Sequence, residues 1–252
     1  MDLALILTVL TVFSGLVVAV DRFWLRRRVA EDEVHPGRAV SLLVEYSRSF
    51  FPVLLLVLVI RSFIFEPFRI PSGSMRPTLL QGDYIFVTKY SYGLRLPVLN
   101  TEILETGSPD RGDVVVFRLP SDPSINYIKR VVGIPGDKIV YRDHELSVNG
   151  EHIPTHPASS SDSDAFHDLF IEDLGSHKHE ILLSNRRGSR EGEYRVPEGH
   201  YFMLGDNRDN SQDSRFIGMV PEANLVGRAV RIWMHMDGLE WPDWGRIGTR
   251  IE

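Results

Sequence analysis

The chain opens on an apolar run. Leu3 to Val20 carries no charge and is broken only by Thr8, Thr11, Ser14 and Gly15. At a helical rise of ~1.5 Å per residue such a run is about 27 Å long, close to the thickness of a hydrocarbon core. Arg22, Arg26, Arg27 and Arg28 come after it, and only Met1 and Asp2 stand before it. A cleaved leader carries its positive charge ahead of the apolar run, so this order predicts a retained membrane helix. A second run covers Phe50 to Ile60 and resumes at Phe63, Ile64 and Phe65. Arg61 interrupts it, close enough to the end at Pro67 for the guanidinium to reach the interface. Pro52 stands in the first turn, where proline is tolerated. A second membrane helix is expected, with a buried core helix as the competing reading.

After residue 70 the period changes, and no long amphipathic helical stretch appears. Short β-branched and aromatic runs alternate with turns, and three of them share an opening. Gly82-Asp83 precedes Tyr84 to Val87, Gly112-Asp113 precedes Val114 to Phe117, and Gly136-Asp137 precedes Lys138 to Val140. A Gly-Asp pair ahead of an apolar run is turn chemistry feeding a strand. Further strands are expected at Ile125 to Val132, Tyr201 to Leu204 and Leu225 to Trp233. Residues 142–195 break the pattern with Ser159 to Asp164 and six of the nine histidines. They read as a solvated insertion, with Phe166, Leu169, Phe170, Ile181, Leu182 and Leu183 as a small packed patch. Most of residues 145–190 is expected to be dispensable. The fold class is therefore mostly β: a coiled antiparallel β-sheet domain preceded by two N-terminal transmembrane helices.

Charge orients this layout. Arg22, Arg26, Arg27, Arg28, Arg38 and Arg48 all fall between the apolar runs, which places that segment in the cytoplasm. The expected domains are a first transmembrane helix at 1–20, a cytoplasmic linker at 21–48, a second transmembrane helix at 49–66 and an extracytoplasmic β domain at 67–252. The net charge of −6 argues against a nucleic-acid partner. The absence of cysteine excludes a thiol nucleophile, disulfides and a cysteine-ligated metal.

Three stretches carry candidate chemistry. Ile70 to Thr78 sets two hydroxyls, Ser72 and Ser74, in a bend stiffened by Pro71 and Pro77 around Gly73. Such a bend exposes one hydroxyl and aims a neighbouring N–H at the same point, the needs of a nucleophile and an oxyanion hole. Taken alone, it reads better as an ordinary Pro/Ser/Gly linker after a membrane helix. A serine also needs a base. His200 and His235, at strand edges, keep a histidine triad open. Lysine is the other choice, if burial keeps its amine neutral. Lys129 lies in Ile125 to Val132, where alternation puts it on one face with Ile125, Tyr127 and Val131 and sends Arg130 to the other. An edge lysine that discourages aggregation is the plain alternative. The third stretch, Gly205 to Arg215, has oxygen donors for a calcium loop. Its spacing is not that of an EF-hand, however, and Arg208 and Arg215 would oppose a cation. A rigid salt-bridged loop fits better. His152, His156, His177 and His179 are spaced loosely for a metal site, and none is expected.

Taken together and in order, these stretches resemble bacterial type I signal peptidases (leader peptidases), a Ser/Lys protease family. The matching motifs are Pro71 to Thr78, Arg111 to Phe117, Tyr127 to Asp137 and Gly205 to Arg215. By this resemblance Ser74 is the nucleophile and Lys129 the general base. The Ser74 N–H and the Ser72 hydroxyl form the oxyanion hole. Ser211 orients the lysine amine, Asp206 partners Arg130, and Asp213 with Arg215 supports the site. Phe68, Ile70, Met75, Leu79, Ile85, Val116, Tyr127 and Ile128 match positions lining the substrate pockets. The resemblance implies removal of signal peptides from exported preproteins after small-x-small sites. It also implies no cofactor, contact with membrane lipid and proximity to the secretion translocon at the bacterial cytoplasmic membrane. The insert of residues 142–195, short and rich in histidine, departs from the family pattern. A self-cleaving repressor would need a DNA-binding helical module where the membrane runs stand. A non-catalytic tethered β module would need no serine and lysine of this kind.

Overall fold

The computed structural model of the chain describes residues 3–25, 37–96, 101–158, 167–175, 177–185, 188–236, 238 and 241–252. Arg26 to Arg28, Ser159 to Asp164 and Phe166 lie outside the described residues. The chain divides into two compact units, residues 1–65 with 94–105, and residues 66–93 with 106–252.

In the first unit α1 (Leu3–Val20) runs on into a π-helical turn at Asp21–Leu25. α2 (Arg38–Val59) continues likewise through Ile60–Ile64. The resulting helices, 21 and 27 residues over Ala4–Trp24 and Arg38–Ile64, are long and apolar enough to cross a membrane. Many of their outward side chains are apolar, among them Val9, Phe13 and Leu16 on α1 and Val53 and Leu56 on α2, a surface that suits lipid better than water. Gly15 lets the helices close, since a Cβ there would stand 2.8 Å from the Phe51 ring. Arg48 pairs with Asp21 at 2.5 Å. The second helix starts at Arg38, ahead of the 49–66 range expected for its membrane-crossing part. Hydropathy marks only where a helix leaves water, and residues 38–48 are helical despite Arg38, Glu45 and Arg48. A short hairpin, β3 (Leu94–Arg95) with β4 (Glu102–Leu104), completes this unit.

The second unit is built on a seven-stranded sheet of order β1-β2-β16-β5-β6-β14-β15. Its strands are β1 (Phe65–Arg69), β2 (Asp83–Thr88), β5 (Val114–Leu119), β6 (Asp122–Gly133), β14 (His200–Leu204), β15 (Val220–Pro221) and β16 (Leu225–His235). The ladders described within it are antiparallel. β1 takes Phe65 and Glu66 from the predicted second span. As an edge strand it tolerates Pro67, which has no N–H to give to a ladder. The three Gly-Asp pairs share one construction. Each aspartate N–H donates to the carbonyl three residues back, Leu80, Asp110 or Ile134. Each carboxylate accepts the N–H of that same residue. The glycine between has φ between 90° and 99°, the conformation a type II turn requires at its third position.

β6 is the strand that matters for chemistry. Its register sets Lys129 opposite Val115 and Arg130 opposite Val114 on β5, and Arg130 opposite Leu204 on β14. One core cluster gathers Val115, Phe117, Val131, Tyr201 and Met203, with Tyr127 against it. The other face gathers Ile70, Met75, Leu79, Ile85, Val116 and Ile128.

The expected insertion is structured over much of its length. β7 (Lys138–Arg142), β8 (Glu145–Val148), β9 (Glu151–His152) and β13 (Gly192–Arg195) form a four-stranded sheet; β10 (Thr155–Pro157), β11 (His167–Asp173) and β12 (Lys178–Ser184) form a three-stranded one. Leu169, Ile181 and Leu182 are buried as expected, and Phe170 and Leu183 are half-buried. Glu172 and His179, on the same two strands, are buried as well. The stretch is therefore more than a solvated flap: its polar composition marks one face only, and the other packs.

Candidate active site

The bend after β1 is clipped at its ends, because Ile70 N–H donates to Asp83 O and Gly82 N–H to Ile70 O. Inside it Arg76 N–H donates to Gly73 O and Leu79 N–H to Met75 O. Met75 and Leu79 are fully buried and anchor the bend to the core. Ser74, between them and the surface, is 9% exposed. Its hydroxyl meets Lys129, whose Nζ donates to Ser74 Oγ at 2.8 Å and to the Ile128 carbonyl at 2.8 Å. Ser72 Oγ stands 3.4 Å from Ser74 Oγ.

Lys129 is 3% exposed, as the alternation of its strand predicts. Burial pulls its amine from the ordinary 10.5 down to about 8, against the opposing pull of the Asp213 and Asp206 carboxylates. Arg130, on the other face, is also buried. It donates Nε to Asp206 Oδ1 at 2.9 Å, Nη2 to Asp206 Oδ2 at 2.7 Å and Nη1 to Gly112 O at 2.8 Å. Burial alone would raise the Asp206 carboxyl, but the Arg130 guanidinium overrides it and holds the acid below the usual carboxylate range.

The loop Gly205 to Arg215 packs on the back of the bend. Asn207 donates its N–H to Ser74 O and its Nδ2 to Gly73 O, both at 3.1 Å. Gly205 permits this approach, since a Cβ there would lie 2.5 Å from Ser74 O and 2.2 Å from Ser211 Oγ. Asp213 caps α3 (Ser214–Ile217), accepting from the Arg215 N–H and gripping the Arg215 guanidinium at 2.8 and 2.7 Å. Its second oxygen also accepts the Gly205 N–H at 3.1 Å. The buried Ser211 hydroxyl has no hydrogen-bond partner among the described residues. The Lys129 amine meets the Ile128 carbonyl, and the expected hydrogen bond between the amine and Ser211 is not formed among the described residues.

An open cleft of about 330 Å³ runs beside the pair, lined by Pro71, Ser72, Ser74, Ile125 to Lys129, Asn210 and Gln212. Of the expected substrate-contacting residues, Tyr127 and Ile128 line it. Ile70, Met75, Leu79, Ile85 and Val116 sit in the adjoining core with Phe68 packed against them. The histidine alternatives are elsewhere: His235 Nδ1 is 2.8 Å from Asp83 Oδ1, and His200 Nδ1 is 2.9 Å from the Glu198 carbonyl. Sequence reasoning placed Asn207, Asn210 and Gln212 in the Gly205 to Arg215 motif without giving them a role at the site, and did not single out the buried Glu172. A polar loop residue carries no periodic signal, so its partners appear only when the loop is folded.

A serine hydroxyl on a braced bend, against a desolvated amine, is the arrangement of a serine hydrolase with a lysine base. The family model described as signal peptidase, peptidase S26, matches residues 43–234. A signal peptidase I of Pseudomonas fluorescens is 51% identical over 216 residues, covering 80% of this chain and 74% of that one. One of Pseudomonas aeruginosa is 46% identical, covering 96% and 94%, and one of Haemophilus influenzae is 33% identical, covering 99% and 90%. The chain belongs to the signal peptidase family, peptidase S26. It is a membrane-anchored serine protease that removes signal peptides from preproteins.

Proposed function

We propose that Ser74 is the nucleophile and Lys129 its general base. The observation that carries this reading is the 2.8 Å contact of Lys129 Nζ with Ser74 Oγ in a buried setting. With the amine neutral, the serine O–H donates into its lone pair. Oγ bonds to the scissile carbonyl carbon as its proton passes to Nζ. The C–N bond then breaks, and Lys129 returns that proton to the leaving amine. Water, losing a proton to the Lys129 amine, then attacks the acyl-enzyme carbonyl, and Lys129 passes that proton to Ser74 Oγ as the ester C–O bond breaks. The Ser74 N–H and the Ser72 hydroxyl are the donors for the oxyanion, each worth roughly 3 to 4 kcal/mol of barrier. Asp206 with Arg130, and Asp213 with Arg215, hold the loop and strand in place around the pair. The signal peptide binds extended along Ile125 to Lys129 by strand addition, and its small residues fill shallow pockets opening onto the core residues from Phe68 to Val116. Cleavage therefore follows small-x-small ends.

The arginine-rich segment between the helices belongs in the cytoplasm, and the N-terminus and everything after Pro67 on the outer side of the bacterial cytoplasmic membrane. Preproteins then arrive beside the translocon, with lipid around both helices. Cleavage of one preprotein by the wild type, Ser74→Ala and Lys129→Ala tests the dyad. Both variants are expected to be inactive, and a normal rate in either refutes it.

A further inference from the structure

The hairpin β11–β12 buries a full charge. Glu172 has no exposed surface, and Arg208, on the loop behind Ser74, is as deeply buried. The two meet as a fork, Arg208 Nη1 to Glu172 Oε1 at 2.7 Å and Nη2 to Oε2 at 2.5 Å. Burial would raise the Glu172 acid, but the Arg208 charge holds it far below the usual range. A buried ion pair adds little net stability over an apolar pair of the same size, while its geometry is demanding. Its contribution here is better sought in placement.

Two further ties run from the hairpin to the same loop. Leu182 N–H donates to Asp206 O at 2.9 Å and Ser184 N–H to Asp209 Oδ2 at 2.7 Å. From its other side that loop holds the nucleophile, through Asn207 to Ser74 O and Gly73 O, and holds the lysine strand through Asp206 to Arg130. His179 Nε2 stands 3.4 Å from Glu172 and 3.9 Å from Asp206. Burial, with the Arg130 charge, keeps this ring neutral, so it spaces the two carboxylates without adding charge.

We propose that Glu172 is a positioning residue for the reaction: through Arg208 it fixes residues 205–210, and through them the placement of Ser74 against Lys129. The hairpin is thus a working part of the catalytic unit. This inference rests on the Ser74–Lys129 reading.

The test uses the full chain in detergent micelles with a preprotein substrate, comparing kcat, KM and urea midpoints. Glu172→Gln keeps the volume and removes the charge; Arg208→Lys keeps the charge and removes the fork. Each is expected to lower kcat by about tenfold to a hundredfold, with KM within about threefold, as small misplacements of reacting groups do. If a single variant does not fold, the double variant Glu172→Gln/Arg208→Gln, which leaves neither partner charged, is expected to fold and show the same kcat loss. A folded variant with wild-type kcat, or a loss confined to KM, overturns the proposal. So does failure of all three to fold, which would make the pair a stability element only. Ser74→Ala separates the two readings. If it still cuts, the dyad is wrong; if it is dead while Glu172→Gln is normal, only the positioning role fails.

Discussion

A lysine amine is a poor base at neutral pH because it is almost wholly protonated. For Lys129, the proposed base, burial lowers the pKa to about 8. The shift corresponds to about 3 kcal/mol of destabilisation of the charged form, tolerable at one position of a folded domain. Single-turnover cleavage should therefore rise with pH through about 8, and a flat rate from pH 6 to 9 would contradict the assignment. The stability effect has the same direction. Between about 8 and 10.5 the unfolded chain binds the proton and the folded chain does not. The penalty is therefore full below about 8 and fades as pH climbs through that window. Lys129→Arg, Lys129→Ala and Lys129→His should each abolish cleavage while leaving circular dichroism unchanged, since arginine stays charged and its planar fork does not fit. Arg130 makes a different prediction. Arg130→Ala strands the buried Asp206 carboxylate and should cost about 3 to 5 kcal/mol in urea denaturation. Strand alternation makes the opposite faces of Lys129 and Arg130 legible in the sequence. The hydrogen bond of the amine to Ile128 is not legible there, because alternation says which face a side chain takes and nothing about which carbonyl it meets.

At the level of elements, the Gly-Asp turns were readable because each is closed within four residues. The hairpin β11–β12 was not. Its composition is polar, and polarity on an element with one packed face looks the same in sequence as polarity on a solvated loop. The packed hairpin argues against the expectation that residues 145–190 can be shortened freely. Replacing residues 167–184 with a short Gly/Ser turn should remove most cleavage activity and lower the urea midpoint. Deleting only Ser159 to Asp164, a serine- and aspartate-rich run, should change neither. Equal activity in both deletions would show that the hairpin's ties to residues 206–209 are idle.

For the whole molecule, protease added to spheroplasts should digest the β unit, while inverted vesicles should protect it. The opposite pattern would invert the topology read from the arginines. The apolar runs, the two membrane-length helices, the mostly β character of the rest and the Ser74, Lys129 and Gly205–Arg215 motifs were all determined by the sequence alone. Hydropathy, periodicity and turn chemistry act over a few residues, so a linear chain records them. The start of α2 at Arg38 and the strand made of Phe65 to Arg69 depended on hydrogen bonding that hydropathy does not register. Only the tertiary structure decided that Ser74 and Lys129, 55 positions apart, come within 2.8 Å. It alone decided that Asn207 braces Ser74 and that Glu172 reaches Arg208 across 36 positions. Such pairings depend on how strands register and on which charges are excluded from water together, and those are properties of the packed chain.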